Sequence, residues 1–487
     1  MKNLCFFLIS FCCGITAKGQ SINATEEPLQ VNPFYLIDTF YAITGNSIYD
    51  IDANGWNESD TIFPHLKFGI TDGSTSENMI SDTSGNYTIP VQVGAHTVMP
   101  TLENPSYFVV TPSSINVTFP TETSPYNQNF CITANGIHND AEVNIVPITS
   151  AIPGLCATYK IIYKNKGNQP LSGTVSFAFN ASMLHFISAS VTPSSQPMNY
   201  INWYFTNLKP FETKEILVYF TVNSPISTPP LNSGFVLTYT LSINSGTNEE
   251  TPADNIFVLN QTVVNAHNPN EKLCLEGNTI TPEMIGKEVH YIIRFENAGT
   301  VNFQNIVIKD EIDMTKFDIS TLIPIAGSHP FITKISRTNN VEFIFENINL
   351  PFDAANNEGY VAFKIKTLST LAIGDTFSNS ASIYFDDNAP INTEPAVTAI
   401  HSVLANTDFE FSRYFTLSPN PAKIILNIDS KNNVQISSIS IYNTLGQLVQ
   451  TISNPSNTID ISNLKTGSYI VKVVSDQGTA NSKFIKA

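Results

Sequence analysis

The stretch Tyr49-Asp50-Ile51-Asp52-Ala53-Asn54-Gly55-Trp56-Asn57-Glu58-Ser59-Asp60 is the one place where side-chain oxygens recur at ligand-like spacing. Asp50, Asp52 and Asn54 take the first, third and fifth positions of a loop, and Gly55 takes the sixth. Alternate oxygens then converge on one side, and glycine permits the sharp turn that wraps a hard cation such as Ca2+. The Trp56 main-chain carbonyl falls at the seventh position, and Asp60 or Glu58 can supply a further carboxylate. Thr61 stands where an EF-type loop needs its bidentate glutamate, so a true EF-hand is excluded. The competing reading is a solvated turn in which Asp and Asn bond their own backbone.

Other residues offer less. The 8 histidines form no His-Glu-x-x-His zinc motif. Neither a Gly-x-Ser-x-Gly elbow nor a phosphate-cradling glycine loop occurs. Cys274 has no neighbouring motif that would activate a thiol. The runs Asp310-Glu311-Ile312-Asp313 and Asp386-Asp387-Asn388 read as solvated strand ends. Trp56, Trp203 and Tyr204 could stack on sugars, but packing is the commoner role of rings in alternating strands. The sequence therefore reads as non-catalytic.

The elements that would position these residues are strands. Val289, Tyr291, Ile293 and Phe295 alternate with polar neighbours, as do Val341, Phe343 and Phe345, and Val361, Phe363 and Ile365. Such period-two stretches have one buried face. Short Gly, Pro, Asn and Asp clusters separate them, which points to sandwiches. The 29 prolines argue against long helices. At 487 residues the chain is long enough for several domains, and only 13% of it is charged. The net charge of −17 makes nucleic acid an unsuitable partner, because phosphate binding needs a basic face.

Lys2 followed by the apolar run Leu4 to Ile15 reads as a secretory leader, cut after Gly19. The run is too short for a membrane helix, which takes about 20 residues. Bulky Phe11 before Cys12 disfavours a lipidated cysteine. Cys131, Cys156 and Cys274 follow the leader, an odd number that forms no disulfide framework. Cys131 and Cys156 either pair in an oxidising compartment or, like Cys274, serve as small buried apolar residues.

An internal repeat is visible. Tyr159-Lys160-Ile161-Ile162-Tyr163-Lys164-Asn165-Lys166-Gly167 matches Tyr291-Ile292-Ile293-Arg294-Phe295-Glu296-Asn297-Ala298-Gly299. Both share the frame Tyr-x-Ile-x-aromatic-x-Asn-x-Gly. The pattern resembles the Ig-like conserved repeats of bacterial surface proteins, especially those of Bacteroidetes secreted proteins. The earlier stretch Ser81 to Val98, with Tyr87, Ile89, Val91 and Val93 before Gly94, resembles prealbumin-like or B-repeat modules of surface adhesins. That resemblance implies a Ca2+ loop at Asp50, Asp52, Asn54 and Asp60.

The end of the chain carries Pro419-Asn420-Pro421, Leu445-Gly446-Gln447, Gly467-Ser468-Tyr469 and a basic strand around Lys483. These elements, in this order, closely resemble the type A sorting domain of the type IX secretion system. The resemblance implies passage across the outer membrane, recognition by the type IX machinery, and removal of the tail with release or surface attachment.

The expected fold is all-β: tandem Ig-like and prealbumin-like β-sandwiches with a small C-terminal sorting sandwich. The expected divisions are a signal peptide at 1–19, a linker at 20–39 and a prealbumin-like unit at 40–131. Ig-like sandwiches follow at 132–266 and 267–402, then a linker at 403–413 and the sorting domain at 414–487. The expected function is non-catalytic adhesion, binding or spacing at the cell surface or beyond it, with a glycan or protein ligand, no transmembrane segment and Ca2+ as the one candidate cofactor. The alternatives are a carbohydrate-binding accessory protein and a secreted hydrolase with its site in one sandwich.

Overall fold

Alternation of apolar and polar side chains decides most of the architecture. In strand Asn86–Val91, Tyr87, Ile89 and Val91 are buried while Thr88 and Pro90 are exposed. In strand Asn340–Phe345, Val341, Phe343 and Phe345 are buried and their neighbours are half-buried. The computed structural model describes residues 40–487 apart from 58–59, 247, 337–338, 354–355, 402–410, 432–433, 445–446, 454, 456 and 476–477. The leader and first linker expected at 1–39, and most of the linker at 403–413, lie outside the described residues.

Among the described residues the chain is all-β, with only a short turn of 3-10 helix at Pro282–Met284 and one helical turn at Phe411–Tyr414. No described helix is long and apolar enough to cross a membrane. The first unit is organised by the long strand Tyr41–Asp50, which pairs with Asn86–Val91, with Thr61–Ile62 and, in parallel, with Phe130–Ala134. Its core gathers Ile43, Tyr49, Phe68, Tyr87, Phe119 and Phe130.

Strand pairings in the two stretches that share the repeated motif correspond. In the second unit Cys156–Asn165 lies between Ala141–Pro147 and Thr213–Val222. In the third, Glu288–Glu296 lies between Glu271–Cys274 and Glu358–Thr367. The facing sheets also correspond, with Leu171–Ala178 paired to Val236–Asn244 in one copy and Ile306–Glu311 paired to Ala381–Phe385 in the other. The last sandwich packs a three-stranded sheet on a four-stranded one over Phe415, Leu426, Ile428, Ile441, Val471 and Phe484.

The first three units interlock. Strand Ile332–Ser336 of the third unit pairs antiparallel with Ser76–Ile80 of the first, placing Thr333 opposite Ile80 and Ile335 opposite Asn78. One nine-stranded sheet therefore runs through two units that are not adjacent in sequence. Ile292, Tyr360 and Ala362 of the third unit pack into the core of the second. This contact explains why Ala141–Pro147 and most of Glu288–Glu296 and Glu358–Thr367 are buried on both faces. Sheets covered on both sides lose the polar-out alternation.

Cys131, Cys156 and Cys274 are free thiols. Cys156 is exposed rather than a buried apolar filler, because it opens its strand at the sheet margin.

Candidate functional site

The acidic loop begins where strand Tyr41–Asp50 ends. Asp50 is only 3% exposed, and Ala53 and Gly55 turn the chain with φ of 56° and 93°. The Gly55 N–H donates to Asp50 Oδ2 at 2.9 Å. The Asn54 N–H lies 3.3 Å from both Asp50 Oδ1 and Asp52 Oδ1. Asn57 N–H donates to Asp60 Oδ2 at 2.7 Å, while Asp60 Oδ1 is buried with no hydrogen-bond partner among the described residues. Burial acts to raise the Asp50 carboxyl, but main-chain donors at Gly55, Asn54 and Ala53 and the Asp52 side chain outweigh it and hold it below the usual range. Burial, with Asp50 close by, pushes the Cys131 thiol up.

Asp50, Asp52 and Asp60 thus come together, each offering an oxygen within 4.8 Å of the others. The Asn54 Oδ1 accepts from Asn57 Nδ2 at 2.8 Å, so Asn54 serves the turn itself. The Trp56 ring is 66% exposed. Glu58 lies outside the described residues. An acidic cluster of this kind, with Asp50 buried, Asp60 half-buried and Asp52 exposed, can in principle take a divalent cation.

The Pro419-Asn420-Pro421 and Gly467-Ser468-Tyr469 elements meet the final strand that carries Lys483. Asn420 Nδ2 donates to the Lys483 carbonyl at 3.2 Å, and the Ile485 N–H donates to Asn420 Oδ1 at 2.9 Å. Ala422 then bridges in parallel to Lys486. The Pro419-Asn420-Pro421 knuckle, with cis bonds before both prolines, is therefore docked on Gly478–Lys486. Gln447 closes its hairpin, its N–H donating to Asn443 Oδ1 at 3.0 Å. Leu445 and Gly446 lie outside the described residues. Gly467 opens strand Gly467–Ser475, Tyr469 stacks on Phe484, and Lys483 is an exposed side chain opposite Ile470.

Sequence reasoning missed the junction of the three units. Lys364, 1% exposed, reaches Glu142 of the second unit at 2.8 Å, Glu288 of its own at 3.1 Å and Glu103 of the first at 3.2 Å. Lys164 adds a contact to Glu142 at 3.0 Å, and Lys166 pairs with Asp254 at 2.6 Å. Burial raises Asp254 to about 7 and Asp140 to about 6, and Lys166 only partly offsets it. A cleft of 1470 Å³ lies beside this junction, bordered by Lys67, Glu103, Lys166, His290 and Lys366. A second missed cluster joins His267 to Glu296 and Glu358, which face each other across paired strands. No local motif announces either group, because their members come from distant strands.

The rings offered to sugars divide. Trp203 is buried, its Nε1–H donating to the Val191 carbonyl at 2.9 Å, whereas Tyr204 is 66% exposed.

Comparison with known families identifies the end of the chain. Residues 416–487 match the secretion system C-terminal sorting domain, and residues 268–399 match a domain of unknown function, DUF7619. The protein carries a type IX secretion tail of the Bacteroidetes kind. It is a secreted, cell-surface or extracellular protein of several β-sandwiches. No curated protein matches the chain. Among solved structures, the major pilin subunit BcpA of Bacillus cereus aligns at 11% identity over 74% of this chain and 94% of its own, with a TM-score of 0.21. The collagen adhesin CNA of S. aureus aligns at 16% identity over 54% and 92%, with a TM-score of 0.20. A DUF3823 family protein from Bacteroides ovatus aligns at 14% identity over 47% and 100%, with a TM-score of 0.17. Superpositions this loose carry no functional argument.

Proposed function

We propose that the protein is a non-catalytic adhesive or spacing body, delivered to the outside by its type IX tail. The observation that carries this reading is the interlocking of three sandwiches through a shared nine-stranded sheet and a buried ionic junction. Interfaces of this kind resist relative motion, where ordinary domain contacts permit it. The described residues carry no catalytic constellation for an external substrate, and two carboxyls that burial raises, Asp140 and Asp254, are tied to Lys166 beside the junction.

A cation at Asp50, Asp52 and Asp60 would stiffen the loop at the end of the first unit's central strand. Its support is the convergence of three carboxylates and the Asp60 Oδ1, which has no partner among the described residues.

A carbohydrate-binding role is the second reading. Tyr200 and Tyr204, 51% and 66% exposed, project from the same face of edge strand Tyr200–Leu208. Flat exposed rings are suitable platforms for apolar sugar faces. Glycan-array and cell-binding assays on the mature chain separate the readings. Saturable binding lost on Tyr200→Ala and Tyr204→Ala assigns the ligand to that sheet. No binding by the mature chain, with unchanged adhesion of cells lacking it, removes the adhesive role.

A further inference from the structure

The core of the third unit contains three polar side chains that the proposed function does not use. Lys272 comes from strand Glu271–Cys274, Asp310 from Ile306–Glu311 and Asn379 from Thr376–Asn379. Their relative exposures are 2%, 0% and 5%. Lys272 Nζ is ion-paired with Asp310 Oδ2, and Asn379 Nδ2 lies 3.5 Å from that same oxygen. An amine and a carboxamide therefore meet at one carboxylate. Asp310 Oδ1 is buried with no hydrogen-bond partner among the described residues. The rings of Tyr291 and Phe363 flank the amine, their centroids 4.9 and 5.2 Å from Nζ.

The second unit supplies an internal control. Lys272 lies opposite Ile293, as Ile145 lies opposite Ile161, the same position of the repeat. Asp310 lies opposite Ala381, as Phe177 lies opposite Leu241. Asn379 and Tyr239 each stand two residues before those partners. The positions filled by Lys, Asp and Asn in one copy are thus filled by Ile145, Phe177 and Tyr239 in the other. All three are fully buried, and the Phe177 and Tyr239 rings stack at 5.8 Å. The sandwich closes there without a charged group: Ile145 and Phe177 are apolar, and the Tyr239 hydroxyl is hydrogen-bonded to that of Tyr159. A buried ion pair is commonly no more stabilising than such packing. Stability alone therefore gives no reason for the polar trio.

We propose that these residues form an intramolecular isopeptide bond, joining Lys272 Nζ to the Asn379 side-chain carbonyl carbon, with Asp310 carrying the protons. Burial pushes the Lys272 ammonium down and the Asp310 carboxyl up, against their mutual attraction. The proton then passes from Nζ to Asp310, leaving a neutral amine, which is the nucleophilic form. Nζ attacks Asn379 Cγ while the protonated Asp310 hydrogen-bonds to the carboxamide. The Nζ–Cγ bond forms and the Cγ–Nδ2 bond breaks. The proton lost by Nζ reaches Nδ2 through Asp310, and Nδ2 leaves as ammonia. Amine plus carboxamide gives amide plus ammonia, with no change of oxidation state and no co-reactant. Asp310, which took the first proton from the ammonium, regains its charge only when it passes that proton to the departing ammonia, which leaves the core as ammonium. The dry aromatic surroundings exclude the water that would otherwise solvate the ammonium.

The bond ties a strand near the start of the third unit to one near its end, so pulling on the chain could not unravel the strands between them. The chemistry stands whether or not the protein is adhesive.

Intact-mass and tandem mass spectrometry of the mature chain, unfolded after purification, test the proposal. The expected result is a mass deficit of one ammonia localised to a branched peptide that joins Lys272 to Asn379. The Asp310→Ala and Lys272→Met variants should return linear peptides at both positions. Linear peptides in the wild-type chain overturn the proposal, and so does an ammonia loss localised elsewhere. A deficit of one water linking Lys272 to Asp310 also overturns it, since Asp310 would then be the acyl partner. The wild-type peptide map decides the matter even where a variant fails to fold.

Discussion

Replacing Lys364 by methionine removes a cation that contacts carboxylates of all three interlocked units. Its ammonium sits 2.8 Å from Glu142, 3.1 Å from Glu288 and 3.2 Å from Glu103. Burial works against that charge, but the three glutamates hold it well above the ordinary lysine value. Taking one partner from a buried ion pair costs about 3–5 kcal/mol, because the other charge stays out of water. Two features set the expectation at the lower end. Glu142 keeps Lys164 at 3.0 Å, and the Glu288 side chain is 25% exposed and can rehydrate. The expected loss is about 3 kcal/mol. At roughly 2–4 °C per kcal/mol for a large domain, Tm falls by about 6–12 °C. Differential scanning calorimetry of the mature chain measures this. The shift should survive high salt, since buried pairs are screened little. Combining the change with Glu142→Gln should cost less than the two single changes added together, because the residues share one network. A shift of about 1 °C or less, or strict additivity, refutes the claim that the junction binds the units together.

Other outcomes follow from the same geometry. Asp254 and Asp140 are raised to about 7 and about 6, so their protonated forms favour the folded state. A carboxyl with a raised folded pKa contributes stability that is present below its unfolded value and lost as pH rises through the folded one. Urea midpoints should therefore decline between roughly pH 4 and pH 7, and Asp254→Asn should flatten that decline; an identical slope in the variant contradicts the assignment. Ca2+ at about 100 times its Kd should stabilise the first unit by roughly 2.7 kcal/mol, and chelator or the pair Asp52→Asn and Asp60→Asn should abolish the gain. A melting midpoint indifferent to Ca2+ removes the cation from the account. Asn420→Ala deletes two hydrogen bonds to the final strand and should destabilise the tail by about 1–2 kcal/mol, with less chain reaching the medium. Unchanged tail stability would show that the knuckle is held by packing alone.

Much of this fold was legible in the sequence because a half-buried strand writes itself as alternation. Val341, Phe343 and Phe345 point inward as their spacing requires. The repeat and the sorting tail were legible because each keeps several turn residues in fixed order. What stayed hidden is long-range. The pairing of Thr333 with Ile80 depends on two edge strands meeting, and nothing local in either strand specifies the other. Lys364 looked solvent-facing in Tyr360-Val361-Ala362-Phe363-Lys364-Ile365-Lys366, since its neighbours Phe363 and Ile365 fill the core. The second unit's cover over the opposite face, together with Glu103 of the first unit, buries it. Lys272, Asp310 and Asn379 were hidden for a different reason: the Asp310 run reads as a solvated strand end, yet Asp310 is fully buried in the third unit's own core, where three strands bring the trio together. In the acidic loop, spacing gathered Asp50, Asp52 and Asp60 correctly, but it could not foresee that Asn54 Oδ1 would be engaged by Asn57.

The account rests on export of an interlocked β body by a separable tail. Its most direct measurement is the fraction of chain found outside a type IX-secreting bacterium with and without residues 416–487. The full chain should appear at the surface or in the medium, and the truncated chain should remain inside, still folded and protease-resistant. Equal amounts outside the cell in both cases would contradict it.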